Sequence, residues 1–118
     1  IIGCPEYDHS IPAVLKSALE WLSYQLDSLK DKPVLIVGGS YGPLGSARAQ
    51  LHLRQILASP EIQANVLPGK EFLLGDVQTA IDSEGELVDP SAVAVLEDCF
   101  ADFVRYVQAL QRGWSQAQ

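Results

Sequence analysis

The alternation of short apolar runs with helical patterns predicts an α/β domain built on a doubly wound parallel sheet. Three observations carry that expectation. Residues 34–38 read Val-Leu-Ile-Val-Gly, an unbroken apolar run whose length and β-branched content suit a strand covered on both faces. Before and after it, apolar residues recur at steps of three and four, the spacing of one helical face. Loops bearing glycine, proline and small polar residues separate the segments, so the order is strand, helix, strand, helix, strand, helix. With right-handed crossovers that order winds a parallel sheet, whose ligands bind beyond the carboxyl ends of its strands.

Ile1, Ile2 and Gly3 read as the tail of a strand already in progress, so the single domain, residues 1–118, is expected to be N-terminally incomplete. A polar loop follows, Pro5-Glu6-Tyr7-Asp8-His9-Ser10, with Ser10 placed as an N-cap and Pro12 as a first-turn proline. The helix after it has Ile11, Val14, Leu15, Ala18, Leu22, Leu26 and Leu29 on one face, an end near residues 28–31, and Trp21 packing beside that face. Strand 34–38 and its glycine loop lead to a helix over about residues 46–58, with Ala47, Leu51, Leu53, Ile56 and Leu57 available for burial. Ser59 and Pro60 stop it. The third strand is expected in two pieces, 64–67 and 71–74, split by Pro68 and Gly69. Residues 76–88 read as an excursion with little regular structure, and Asp82-Ser83-Glu84-Gly85 is a turn signal. Asp89 caps the last helix and Pro90 opens it, with Val93, Leu96, Phe100, Phe103, Val107 and Leu110 on its face. Gly113 is the expected terminator, and residues 114–118 an expected loose tail.

Composition narrows the function. A chain of 118 residues is enough for one core and too short for two. Fifteen acidic residues against eight basic ones give a net charge of −7, which argues against nucleic acid and anionic membranes as partners. No apolar run approaches the ~18 residues of a spanning helix. Cys4 and Cys99 are far apart, with no metal-ligand spacing around them, which reads as a reduced, cytoplasmic setting.

Four glycines, Gly38, Gly39, Gly42 and Gly45, punctuate the loop between the central strand and the second helix. Main-chain N–H groups there can approach a ligand closely, and the helix that follows adds its positive end, so an electron-rich ligand is expected. The loop bearing Pro5 to Ser10 also follows a strand tip, and the two would face one crevice. Gly38-x-Ser40-x-Gly42 has the form of a nucleophile elbow, which makes a serine hydrolase one alternative. Only His52 follows it, however, without an acid between. A P-loop lacks its lysine, and a dinucleotide fingerprint would need glycine where Ser40 stands.

Pro5-Glu6-Tyr7-Asp8-His9-Ser10-Ile11-Pro12 with Leu15, Lys16 and Trp21, then Gly39-Ser40-Tyr41-Gly42-Pro43-Leu44-Gly45 with Arg48, Ala49, Gln50, Leu53 and Arg54, resemble the NADPH-dependent FMN reductase family. Its members include quinone, azo-dye and chromate reductases. The resemblance implies a flavodoxin-like sheet of order 2-1-3-4-5, of which this chain supplies the C-terminal three strands and their helices. It implies FMN as cofactor, NADPH or NADH as donor, and a quinone-like acceptor. The cofactor-binding residues it points to are Pro5, Glu6, Tyr7, Asp8 and Ser10 in one loop, and Gly39, Ser40, Tyr41 and Gly42 in the other. Asp8 stands where the family has asparagine, which places a negative charge near a ring that becomes anionic on reduction. Glu6 has a second reading, as a cap for neighbouring N–H groups. The family's phosphate-binding turn has no counterpart in these residues. Arg48 and Glu71 match positions that join subunits in similar chromate reductases, and a homodimer or homotetramer meeting along the first helix is implied. A flavodoxin-like module that binds FMN without turnover is the other alternative.

Overall fold

Alternation along the central strand decides the architecture, which a computed structural model describes for the backbone of residues 1–117 and the side chains of residues 1–113. Val34 and Ile36 point to one face of the sheet, Leu35 and Val37 to the other, because successive strand residues face opposite ways. Both faces are covered. Val34 and Ile36 pack with Cys4, Ile11, Leu19, Ala49, Leu53 and Leu57, and Leu35 packs with Leu67, Phe72 and Cys99. The molecule is therefore a three-layer α/β/α sandwich, with the first two long helices on one side and the last on the other.

The elements in chain order are β1 (Ile2–Gly3), α1 (Ala13–Ser23), β2 (Pro33–Val34), β3 (Ile36–Gly39), α2 (Ala47–Leu57), β4 (Asn65–Val66), β5 (Phe72–Leu74), α3 (Val77–Ala80) and α4 (Pro90–Ala117). All strand pairings are parallel. β3 sits between β1 and β5, with Ile2 opposite Ile36 and Val37 opposite Phe72, and β2 pairs β4. β1 is an edge, with its outer side unpaired among the described residues. β2 and β3 are one strand interrupted at Leu35, and β4 and β5 are the two expected pieces around Pro68 and Gly69. Arg54 holds that interruption together, donating to Leu67 O (3.1 Å) and Lys70 O (2.6 Å).

Several boundaries differ from the sequence expectation, each for a physical reason. α1 stops at Ser23, short of residues 28–31, where the Ser23 hydroxyl donates to Glu20 O (2.9 Å) in competition with the helical ladder, and Gln25 and Asp27 then turn at positive φ. Its one buried residue is Leu19, with Leu15 partly buried beside it and Ile11 buried just before the helix; Val14, Leu22 and Leu26 face solvent, and Trp21 is 74% exposed, packing in no core of this chain. Ser10 caps nothing: Pro12 is the N-cap residue, without a side-chain bond. Leu51 of α2 is exposed, and Ala49 and Gln50 take the buried positions. Residues 76–88 include the single-turn helix α3, and their Asp82 turn is closed by Asp82 Oδ1 accepting from the N–H groups of Glu84 and Glu86. In α4, Phe100 is exposed and Cys99 is buried in its stead. Gly113 does not end that helix, because its φ is not positive and no cap turn forms there; the helix runs on to Ala117 where a tail was expected, and Gln118 lies outside the described residues.

Gln50 ties the layers near the site. Its buried amide Nε2 donates to Ser46 Oγ (3.0 Å), Phe72 O (3.0 Å) and Gly45 O (3.4 Å), joining α2, β5 and the glycine loop. Replacing Gln50 by Leu keeps the volume and strands those acceptors, so the complete protein should lose about 1–3 kcal/mol of stability. A chemical-denaturation midpoint checks this: no shift would mean that the amide is dispensable.

Candidate functional site: a crevice at the strand tips

The chain leaves β1 and β3 at neighbouring carboxyl ends, and the two loops that follow meet. Between them lies a cavity of about 280 Å³ lined by Glu6, Ser40, Gly42, Pro43, Leu44, Ser46 and Arg48. Parallel pairing of β1 with β3 requires this meeting, since both strands deliver their chains to the same end of the sheet.

The first loop closes as a two-residue turn. Tyr7 N–H donates to Ser10 O (2.9 Å) and Ser10 N–H to Tyr7 O (3.0 Å), with Asp8 (φ 47°) and His9 (φ 70°) between them. Two consecutive positive φ values are the signature of a type I′ turn, a conformation uncommon for a pair of non-glycine residues, although aspartate and histidine adopt it more readily than most. Three side chains of this loop are bonded to α2. Glu6 Oε1 accepts from the N–H groups of Arg48 (3.1 Å) and Ala49 (3.3 Å), and Glu6 Oε2 accepts from Arg48 Nε (2.8 Å), with Nη2 at 2.6 Å. Arg48 Nη1 lies 2.7 Å from His9 Nε2, and Ser10 Oγ lies 2.7 Å from His52 Nδ1.

The positive end of α2 is therefore occupied by a carboxylate of the chain itself, and the expectation that this helix end serves the ligand is overturned. Ser46, the N-cap residue, makes no side-chain cap; its hydroxyl accepts from Gln50 instead, and Glu6 caps the helix from 40 residues upstream in its place. Of the two readings for Glu6, the capping one is what the geometry displays. Arg48, matched in sequence to a subunit-joining position, is spent on Glu6 and His9 of its own chain.

The second loop is organised by its serine. Ser40 Oγ donates to Gly42 O (2.9 Å) and accepts from Gly45 N–H (2.8 Å). Among the described residues no histidine bonds Ser40, because His52 is engaged by Ser10, so the arrangement a serine nucleophile requires is missing. Gly45 is fixed by packing: at φ 61°, a Cβ there would come within 2.5 Å of the Leu73 carbonyl carbon. Gly42 is different. A Cβ there would meet nothing within 4 Å, so the space beside it is open to something other than this chain. Among the described residues none accepts from the N–H groups of Asp8, His9, Tyr41 or Gly42, which leaves a set of main-chain donors uncommitted on the two loops. Tyr7 (62% exposed) and Tyr41 (76%) carry aromatic rings on the same loops. Open space beside a glycine, uncommitted donors and exposed rings fit a flat, electron-rich group such as a flavin.

Elsewhere the chemistry is quiet. Burial pushes the Cys4 thiol up, with the Glu6 charge adding to it, and burial likewise raises Cys99, so neither is poised as a thiolate. Among the described residues no cluster of His, Cys, Asp or Glu is arranged to hold a metal ion, and no helix is long and apolar enough to cross a membrane.

A parallel α/β sheet with a two-loop crevice at its strand tips is the arrangement of flavodoxin-like proteins. A solved structure supports this directly: the flavoenzyme NAD(P)H:(acceptor) oxidoreductase FerB from Paracoccus denitrificans superposes with a TM-score of 0.67 and 27% identity, over 86% of this chain and 56% of its own. Residues 1–79 match the NADPH-dependent FMN reductase family, and the chain belongs to that family. It is 56% identical over 112 residues to the NADH:(hydroxy)cinnamate reductase subunit CrdA of Vibrio ruber, covering 95% of this chain and 55% of that protein. It is 39% identical over 113 residues to a quinone reductase of Escherichia coli K12, covering 94% of this chain and 59% of that protein. The chain thus spans little more than half the length of the relatives it matches.

The sequence had put Arg48, His9 and His52 in no common role. Their available signal was spacing: residues 48 and 52 lie one turn apart on α2, the separation that presents two side chains together. The fork from Arg48 holds the Glu6 carboxyl below its ordinary value, with the N–H groups of Ala49 and Arg48 acting in the same direction and desolvation against it. Since the folded value is depressed, the stabilisation from this pair is complete above the ordinary glutamate range and is lost as pH falls through the depressed value. NMR titration of the Glu6 carboxyl carbon should give a midpoint below that of ordinary glutamates, and Arg48→Gln should move it upward; an unmoved midpoint would exclude the fork as the cause.

Proposed function

We propose that the complete protein is an FMN-dependent oxidoreductase that takes hydride from NADH or NADPH and reduces quinone-like acceptors. The observation that carries this reading is the crevice itself, whose donors and open space lie on the two loops of the family resemblance. Bound FMN would supply the redox chemistry, alternately accepting hydride from the nicotinamide and passing electrons to the acceptor.

The chain's own residues bind, orient and exclude water. Pro5, Tyr7, Asp8, Gly39, Tyr41 and Gly42 would border the ring, with the uncommitted main-chain N–H groups aimed at the edge where negative charge collects on reduction. Glu6, Ser10 and Ser40 would contribute through loop shape, because their side chains are already bonded within the chain. Asp8 would disfavour the reduced, anionic ring and so lower the potential of the bound flavin. A homodimer along α1 goes with this reading: Val14 and Trp21 of α1, Tyr24 just beyond it and Leu51 of α2 are all exposed. A cytoplasmic setting, with both cysteines as thiols, goes with it too. The name of the 56% identical relative, a subunit of an NADH-dependent reductase, favours NADH and adds a second reading, in which the electron acceptor is a partner subunit.

The purified complete protein should be yellow and should oxidise NADH or NADPH when a quinone is present. A colourless protein that cannot be reconstituted with FMN would sink the proposal. Flavin that either nicotinamide reduces, with no turnover on quinones, would point to the partner-subunit reading; flavin that neither reduces would leave a non-catalytic module.

Asp8→Asn should raise the reduction potential of the bound FMN by a few tens of millivolts, the scale of removing one nearby charge in a partly solvated site. Redox titration against a dye of known potential measures it, and an unchanged potential would place the Asp8 carboxylate away from the ring.

A further inference from the structure

We infer that His9 is a positioning residue for the flavin crevice, acting through Arg48 to hold the Tyr7–Ser10 turn against α2. The inference rests on the flavin-binding reading above. Its starting point is the turn itself: Asp8 and His9 occupy consecutive positive φ values, an uncommon conformation for a pair of non-glycine residues and one that contacts outside the turn can hold. The surroundings here are particular. Glu6 on one side of the turn and Ser10 on the other are bonded to α2 at Arg48, Ala49 and His52, so both ends of the turn are fixed to one helix. His9, within the turn, is the remaining point of attachment, 2.7 Å from Arg48 Nη1.

The direction of that bond follows from chemistry. A guanidinium only donates, so in this contact His9 Nε2 is the acceptor. Arg48 is thereby shared between a carboxylate and an imidazole on the same loop. Two uncommitted N–H groups of the first loop, those of Asp8 and His9, belong to the pair of residues that this bond restrains. Holding them in place before the cofactor arrives lowers the ordering cost of binding. His9 needs no contact with flavin to do this.

The test separates the imidazole as acceptor from the backbone conformation it tolerates. His9→Gly relieves the positive φ and removes the acceptor, whereas His9→Gln places its Oε1 where Nε2 stands and so keeps an acceptor for Arg48, in a conformation that Gln25 and Gln63 adopt elsewhere in the chain. His9 is exposed, so neither change disturbs the core. In the complete protein, His9→Gly should weaken FMN binding about tenfold and His9→Gln should keep it near the wild-type value. In the flavin-free protein, amide exchange at Tyr7 and Ser10 should quicken in His9→Gly and stay near the wild-type rate in His9→Gln. FMN affinity in His9→Gly equal to that in His9→Gln overturns the inference while leaving the flavin reading intact. A wild-type protein that takes up no FMN overturns both.

Discussion

Every other feature of this chain hangs on burying the central strand from both sides. Val34 and Ile36 need α1 and α2 above them, and Leu35 needs α4 below, beside Phe72 of the neighbouring β5. The strand so enclosed pairs with parallel neighbours fed by crossovers, so the loops after β1 and β3 emerge together. The crevice is a by-product of hydrophobic burial. What the loops then contribute is polar and local, and it is decided by a handful of charged and glycine positions.

Among those positions, the Glu6–Arg48 pair resolves a competition. A helix N-terminus beside a glycine loop attracts anions, and in many nucleotide-binding proteins a ligand phosphate satisfies it. Here a carboxylate from the neighbouring loop does so, and its countercharge, Arg48, leaves the local sum near neutral. A crevice arranged like this suits an uncharged ring system with a polar edge better than a phosphate. The cost is a turn in a disfavoured backbone conformation, kept by three attachments to one helix. Away from the crevice, Lys70 joins Asp98 and Asp102, fastening the β4–β5 connection to α4, within which Arg105 also joins Asp102.

How legible this was in the sequence depends on range. Period and punctuation indicated the order of elements, the two-piece third strand around Pro68 and Gly69, and the Asp89 cap, because each is decided within a few residues. The same local signals misplaced the stripe of α1, where Val14 and Leu22 fit a helical spacing but Leu19 is the residue that packs into the core between α1, α2 and the sheet. Gly113 had the composition of a stop and lacked the backbone turn that makes one. The two loops of the crevice were legible through their motifs. Their wiring was not: Glu6 to Arg48 spans 42 residues, and no periodicity reports which acid will reach which helix.

One consequence of the layout concerns β1. An outermost strand with half its hydrogen-bonding groups unmatched is a template, ready to accept the backbone of whatever extended peptide comes near. Folding of these residues in isolation would leave that template open to solvent, and self-association through it would compete with productive folding. What lies beside β1 therefore bears on the behaviour of the protein in solution as much as anything in the crevice does.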